Sequence, residues 1–426
     1  MKITPFQAIV LVIFGAALVA GIIILATTQS GGKKNNLPVV IWGTISDDHF
    51  RNAVEDITEG NSGYKITYIE KRSENFDQEL VEALASGVGP DAILFPHDLI
   101  MRHRDKILFL PYSSLPARTF KDTFIQEGEL YLDSGGIIAL PFSLDPLVMY
   151  WNRDLLIKGG YALPPKSWDE FITMVPKLTV KDINLNILKS GVALGEFRNI
   201  ANAKEIIAAF LMQTGNPITV YGEKGFDSRL YPATLGSIGA INFYTDFANP
   251  VKPDYSWNRA LPNSLNMFVS GDLAFYFGFA SEISMIRDKN PNLNFDVTFF
   301  PQPKGASVPV TFGRMYGLAV LKSSRNSSGA FQAIMAITGR GPIGRLNQVS
   351  GLPPVRRDML NTNPSDPYQS IFYNSAIRAR GWLDPNPVAS KTIFQNMIES
   401  VTGGELEAGR AIETAGKSLQ GLFRRF

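Results

Sequence analysis

The chain of 426 residues contains no cysteine. Disulfide bonds, zinc–thiolate sites, iron–sulfur clusters, thiol catalysis and attachment to a lipid through cysteine are therefore excluded. Histidine is scarce, with three residues, and the net charge is only +2, without any basic run longer than two residues. So weak an electrostatic field does not indicate a protein that binds nucleic acid.

Signatures of catalysis are also missing. The sequence contains no H-E-x-x-H, G-x-S-x-G or G-x-G-x-x-G motif. Gly416-Lys417-Ser418 resembles the end of a phosphate loop, but the glycine required five residues earlier is Ala411. Asp47-Asp48-His49 is better explained as a solvated helix start than as a metal site, because adjacent side chains rarely converge on one ion. We therefore expect no enzyme activity, no cofactor and no metal site.

One long apolar stretch is present, at Ala8–Ala26. As a helix it would extend roughly 28 Å, close to the thickness of a bilayer core. A cleaved signal peptide is the alternative, although the apolar region of such peptides is usually shorter. The flanking charges, Lys2 on one side and Lys33 and Lys34 on the other, leave the orientation open. The sequence predicts a retained transmembrane anchor at residues 1–29 and a linker at residues 30–37.

The folded part begins with strand patterns that alternate with helix patterns. Val39–Trp42, Tyr64–Ile69 and Ala92–Phe95 read as strands, and apolar residues at helical spacing lie between them. This alternation predicts an α/β fold whose ligands bind beyond the carboxyl ends of the strands. With 45% apolar and 19% charged residues, the chain has the length and composition of two globular lobes.

Two helices have predictable boundaries or packing. Ser167 precedes a helix start and Glu170 follows three residues later, which predicts a capping box, with Trp168 in a structural role. Near the C-terminus, apolar residues recur at spacings of three and four, which predicts an amphipathic helix packed on a core. These residues are Ala408, Ile412, Ala415, Leu419, Leu422 and Phe426.

Several segments in collinear order resemble the extracellular solute-binding proteins of ABC importers, family 1, of which maltose-binding protein is typical. The resemblance extends from residue 38 to nearly the C-terminus, and each motif is weak when taken alone. The segments that carry it are Val40–Trp42, Gly89–Asp98, Leu140–Phe142, Tyr150–Leu155, Pro164–Phe171, Phe268–Phe275, Gly317–Val320, Leu352–Arg356 and Trp382–Asn386. Trp151, Leu99, Phe277 and Phe279 depart from the maltose-binding pattern and put a maltodextrin ligand in doubt.

The resemblance implies a type II periplasmic-binding-protein fold, with two lobes of mixed sheets flanked by helices and joined by a hinge. Residues 38–143 with 297–347 would form lobe 1, and residues 144–296 with 348–426 would form lobe 2. The chain would cross between the lobes near Ser143–Pro146, Asp296–Phe300 and Leu346–Gly351.

The resemblance also implies which residues bind the ligand in the cleft. Aspartates would accept hydrogen bonds from ligand hydroxyls, and Trp42 and Phe279 would stack on sugar rings. Glu196 and Asn199 are weaker candidates, because the alignment there needs a gap. The expected ligand-binding residues are Trp42, Thr44, Asp47, Asp98, Asp145, Glu196, Asn199, Phe279 and Arg314.

We therefore expect a monomer that is held at the cell membrane by one helix, with its body on the extracytoplasmic side. It would bind a small solute, a sugar or oligosaccharide, and deliver it to the permease subunits of an ABC transporter. The alternative is a surface-anchored protein that uses the same fold for sensing or adhesion.

Overall fold

A computed structural model describes residues 38–58, 65–222, 225–361 and 364–423. The predicted membrane anchor at Ala8–Ala26 and the linker lie outside the described residues. Within the described part of the chain, no helix is both long and apolar enough to cross a bilayer.

Fifteen strands are seen in the described residues. They are β1 (Val39–Gly43), β2 (Ile66–Glu70), β3 (Ala92–Pro96), β4 (Ile107–Leu108), β5 (Leu132–Asp133), β6 (Gly136–Ile137), β7 (Leu140–Asn152), β8 (Val180–Lys181), β9 (Ile187–Val192), β10 (Thr219–Gly222), β11 (Gly225–Ser228), β12 (Leu273–Phe279), β13 (Phe295–Thr298), β14 (Thr311–Leu321) and β15 (Ala379–Arg380).

Helices connect these strands and cover the sheet. They are α1 (Asp47–Thr58), α2 (Ser73–Ala85), α3 (Ile100–His103), α4 (Ala117–Thr123), α5 (Arg153–Lys158), α6 (Trp168–Leu178), α7 (Ala203–Gln213), α8 (Leu235–Asp246), α9 (Ser264–Val269), α10 (Glu282–Lys289), α11 (Ser327–Ile337), α12 (Arg340–Ser350), α13 (Arg357–Leu360), α14 (Pro367–Arg378), α15 (Pro387–Thr402) and α16 (Ala408–Phe423).

The main sheet is mixed and runs in the order β2-β1-β3-β14-β7-β12-β9-β8. The first three strands are parallel, as their alternation with helices predicted, whereas β14 pairs antiparallel with β3 and with β7. Strand β7 is buried along its whole length. Its first half pairs with β14 and its second half pairs with β12. The long strand β7 therefore joins two halves of the molecule.

The buried apolar side chains form two clusters. The first core draws mainly on residues 39–144 and 315–355, and the second core draws mainly on residues 147–300 and 382–423. Along β7, Leu144 belongs to the first core and Leu147 to the second. The lobe boundaries drawn from the sequence stay a prediction.

The predicted start of α6 is correct in part. The Ser167 side chain accepts a hydrogen bond from the Glu170 amide at 3.3 Å, as a helix cap does. The Glu170 carboxylate, however, accepts from the Lys166 amide at 2.8 Å rather than from Ser167, because the amide of Lys166 lies within reach. Trp168 is buried in the second core and has the structural role predicted for it.

The C-terminal helix α16 packs on the second core through Ala408, Ile412, Ala415 and Leu419, as its apolar spacing predicted. Leu422 is partly buried against the same core, and Phe426 lies outside the described residues. This helix is therefore part of the globular body.

Candidate functional site

A cleft of about 860 Å³ lies where the carboxyl ends of β1 and β3 approach the start of α15. Helix α2 forms one wall, with Glu74, Asp77 and Glu82 among its lining residues. Three of the predicted ligand-binding residues line this cleft, namely Thr44, Asp98 and Arg314. Asn386, Pro387 and Val388 line it from the other side.

Asp98 follows β3 and carries a carboxyl oxygen, Oδ1, that is buried and has no hydrogen-bond partner among the described residues. Burial raises the pKa of Asp98, against the attraction of Lys204 and Arg314. The neighbouring His97 is fully buried, and its Nδ1 accepts from the Met315 amide at 3.1 Å. Burial and the repulsion of Arg314 lower the pKa of His97 to about 3. A carboxylate in such a position can accept hydrogen bonds from a ligand.

Arg314 lies on β14, directly opposite Asp145 on β7. Its guanidinium is 3.3 Å from the Glu205 carboxylate and lies over the Phe279 ring, 4.1 Å from the ring centroid. Burial would raise the pKa of Glu205, but Arg314 and Lys204 hold it below its ordinary value. The structure therefore brings Arg314, Phe279 and Asp145 together beside the cleft.

Asp145 is buried and accepts hydrogen bonds from the Ser281 amide, at 3.0 Å, and from the Ser281 hydroxyl. Burial raises its pKa to about 6, although the bonds from Ser281 act in the opposite direction. Phe279 is 2% exposed, and the Arg314 guanidinium lies over one face of its ring. In this structure the Phe279 side chain therefore contacts other protein groups. The ligand-binding roles of Asp145 and Phe279 stay predictions.

A second ion pair lies beside the first. Lys204 Nζ is 2.9 Å from Asp384 Oδ2, and Asp384 also accepts from the Ser390 hydroxyl. Both charged residues are buried. Although burial by itself would lower the pKa of Lys204, the attraction of Asp384 raises it above its ordinary value. Lys204, Glu205 and Arg314 therefore form a connected set of charges next to Asp98.

Trp42 and Asp47 lie near the cleft but do not line it. The Lys71 ammonium lies 3.9 Å from the centroid of the Trp42 ring and also pairs with Glu79 at 2.7 Å. Asp47 starts α1, as the sequence indicated, and pairs with Arg51 at 2.6 Å. Its Oδ1 is buried and has no hydrogen-bond partner within the described chain. The stacking role of Trp42 and the hydrogen-bonding role of Asp47 stay predictions.

The structure places Glu196 and Asn199 outside the set of residues that line the cleft. Glu196 pairs with Arg259 at 2.8 Å. The Asn199 amide donates to the Asn258 and Leu261 carbonyls at 2.8 and 3.0 Å and accepts from Trp257 Nε1 at 3.1 Å. These contacts favour a structural role for Asn199.

This structural role predicts the behaviour of Asn199→Ala. The variant would leave two carbonyls and the indole N–H of the buried Trp257 without partners, so it should lower the free energy of unfolding by about 2–3 kcal/mol. Urea denaturation measures this change. Ligand affinity should be unaltered at a temperature where the variant is folded, and a selective loss of affinity would instead support the ligand-binding role.

The sequence reasoning did not select Lys204, Glu205, Asp384 or Tyr316. A signal was present for the first two, because they are adjacent charged residues at the start of an otherwise apolar helix, A-K-E-I-I-A-A-F-L-M. Asp384 lies within the Trp382–Asn386 motif, which was used only as a family marker. Tyr316 lines the cleft two residues after Arg314 on β14, and no local pattern distinguishes it.

Comparisons with known proteins agree with this architecture. A structure of the cyclic alpha-maltosyl-1,6-maltose binding protein from Arthrobacter globiformis superimposes with a TM-score of 0.75 at 15% identity, covering 92% of this chain and 100% of that one. At this identity the likeness shows the fold, and it confirms the predicted type II periplasmic-binding-protein architecture of the globular part.

Proteins with similar sequences are named as binding proteins. The mannitol-binding protein of Pseudomonas aeruginosa is 25% identical over 318 residues, which are 70% of this chain and 68% of that protein. A Deinococcus radiodurans protein whose name describes an ABC transporter-binding protein is 40% identical over 65 residues, but this match covers only 15% of this chain and 16% of that protein.

The model of the family described as bacterial extracellular solute-binding protein matches residues 44–339, which include the whole of β3, β7, β12 and β14 with the cleft residues they carry. The fold, the cleft and this match lead to one conclusion: the chain belongs to the family of bacterial extracellular solute-binding proteins.

Proposed function

We propose that this protein binds a sugar or oligosaccharide in the cleft between the two cores and delivers it to the permease of an ABC transporter. The observation that carries the proposal is the presence of Asp98 and Arg314 together in the lining of the cleft. Asp98 offers a buried carboxyl oxygen without a protein partner among the described residues, and Arg314 offers guanidinium N–H groups. Neighbouring acceptors and donors of this kind suit a polyhydroxylated ligand.

The names of similar proteins support the same class of ligand. One relative is named for mannitol, a polyol, and the Arthrobacter structure is named for a cyclic maltosyl-maltose. Both ligands carry many hydroxyl groups and no net charge. The ion pairs beside the cleft, Arg314 with Glu205 and Lys204 with Asp384, balance each other's charge and are compatible with an uncharged ligand.

In this proposal the two cores are the interiors of two lobes. Residues 38–143 with 297–347 form lobe 1, and residues 144–296 with 348–426 form lobe 2. The crossing strands β7 and β14 serve as the hinge, so that ligand binding closes the lobes over the cleft. The protein acts as a monomer without catalytic activity.

We further propose that Ala8–Ala26 anchors the protein in the cell membrane, with the body on the extracytoplasmic side that the family description implies. Because the chain has no cysteine for lipid attachment, such a helix would keep the binding protein close to its permease. Fractionation and protease protection of the full chain test this arrangement.

A thermal-shift panel tests the function. Mono- and oligosaccharides, polyols, amino acids, polyamines and metal ions are added to the full chain, and the expected result is a raised melting temperature with at least one sugar or polyol. Stabilisation by another class alone would overturn the carbohydrate assignment. If no compound of any class shifted the melting temperature and a sensor kinase lay beside the gene, the sensing alternative would be favoured.

Asp98→Ala should weaken ligand binding without lowering the free energy of unfolding. The variant loses an acceptor for ligand hydroxyls, so we expect affinity for the stabilising sugar to fall at least about tenfold. Because the unpartnered carboxyl oxygen is removed from a buried position, the free energy of unfolding should not decrease. Isothermal titration calorimetry and urea denaturation measure the two quantities.

Asp105→Ala is the matched control, because this carboxylate lies on the same segment but is 75% exposed. Its sugar affinity should equal that of the unchanged protein. Equal affinity in Asp98→Ala would show that the ligand does not contact Asp98.

A further inference from the structure

A second cavity, of about 270 Å³, lies between the two cores, and its lining residues all differ from those of the cleft. We call it the joint pocket. Most of its wall is aliphatic or aromatic. The wall includes Met101, Tyr112 and Leu132 from the first half of the chain and Tyr221, Phe226 and Leu383 from the second half.

The wall of the joint pocket contains residues that connect the two cores. Met101 lies in α3, among segments of the first core, yet it is 1% exposed and packs within the second core. Leu383, which follows β15, packs partly against both cores. A change in the relative position of the cores must therefore change the shape of this pocket.

The polar side chains of Arg104, Tyr112 and Asp133 in the joint pocket already have partners. Arg104 pairs with Asp133 at 2.7 Å, and the Tyr112 hydroxyl donates to the Asp133 carbonyl at 2.6 Å. A sugar placed here would find few free partners for its hydroxyls, so the burial of those hydroxyls would be unfavourable. A mostly apolar molecule with at most one polar group suits this wall.

Aromatic rings indicate the shape of the molecule. Tyr221 on β10 is 67% exposed, and its ring centroid is 4.9 Å from that of Phe226 in an edge-to-face arrangement. Phe226 is held in place because Gln420 donates to its carbonyl and its ring stacks near Phe423. A flat ring can pack against such a fixed aromatic pair.

We propose that the joint pocket is a second binding site, for a small aromatic molecule of about the size of indole or naphthol, and that its occupancy changes the relative position of the two lobes. The second part rests on the proposed hinge motion. By linkage, a molecule that binds one lobe arrangement more tightly must shift the population toward it and thereby alter affinity in the cleft.

Binding of 2-naphthol to the full chain, followed by fluorescence and calorimetry, tests the site. We expect saturable binding to one site, weakened at least about fivefold in Tyr221→Ala, which removes part of the wall. Tyr231→Ala is the matched control, because Tyr231 is also exposed (47%) but lies outside the pocket. Absence of saturable binding, or equal weakening in both variants, would overturn the proposal.

Because the chain has no cysteine, the coupling can be measured with two introduced labels. Val88→Cys and Lys391→Cys place spin labels at exposed positions on the two halves. Saturating 2-naphthol should shift the distance distribution between them, without any sugar present. A shift with sugar but none with bound 2-naphthol would overturn the coupling and leave the carbohydrate proposal intact.

Discussion

Asp384→Ala should lower the free energy of unfolding by about 3–5 kcal/mol. Asp384 is 1% exposed and accepts the charge-assisted hydrogen bond of the buried Lys204 ammonium at 2.9 Å. Its removal leaves that ammonium without its main compensating charge in an environment of low polarity. Chemical denaturation at neutral pH measures the loss.

Two further variants test whether the unpaired charge causes this loss of stability. Lys204→Met combined with Asp384→Asn removes both charges and keeps the Asn386 amide bonded to the side chain at position 384, so most of the lost stability should return. Asp122→Ala removes an exposed ion pair, in which the side chain of Asp122 is 74% exposed and that of Arg118 is 93% exposed. This change should lower the free energy of unfolding by less than about 1 kcal/mol. If the double variant were no more stable than Asp384→Ala, the loss would come from packing rather than from an unpaired charge.

Glu127→Gln should remove a strong dependence of stability on pH. Glu127 is 3% exposed, and burial raises its pKa to about 8 from an ordinary value of 4.5. The folded state therefore keeps a proton that the unfolded state has lost. The stability of the unchanged protein is fully present below about pH 4.5 and declines as the pH rises through 8.

The glutamine variant cannot ionise, so above about pH 8 it should exceed the unchanged protein in stability by up to about 5 kcal/mol. Near pH 4.5 the two proteins should be almost equally stable. Unfolding curves measured across this pH range check the prediction. Glu129→Gln, which alters a partly exposed carboxylate paired with Lys121, should keep the original pH profile. An unchanged profile in Glu127→Gln would show that Glu127 is ionised in the folded protein.

The packing around Glu127 also explains why a glycine occupies position 381. A Cβ at Gly381 would lie 2.5 Å from both Glu127 Oε1 and His97 Nε2. Both atoms are buried and have no hydrogen-bond partner within the described residues. The segment that enters the second half of the molecule after β15 therefore packs directly on two groups that the structure keeps uncharged near neutral pH.

Local patterns determined much of the fold. The apolar runs at β1 and β3 identified buried strands, and the spacing of Ala408, Ile412, Ala415 and Leu419 identified a helix packed on the core. These predictions succeeded because periodicity and burial depend on neighbours along the chain. The ordered motifs of the resemblance identified the family, and they selected Thr44, Asp98 and Arg314 as residues that the structure finds at one cleft.

Only the tertiary structure decided which polar side chains meet. Lys204 and Asp384 are 180 residues apart, and nothing in either local pattern indicates a pair. Likewise, only the folded chain shows that Lys71 lies over Trp42 and that Asn199 supports Trp257 rather than the cleft wall. Such contacts depend on how β7 and β14 cross between the two cores, and this arrangement is set by long-range packing that no local spacing encodes.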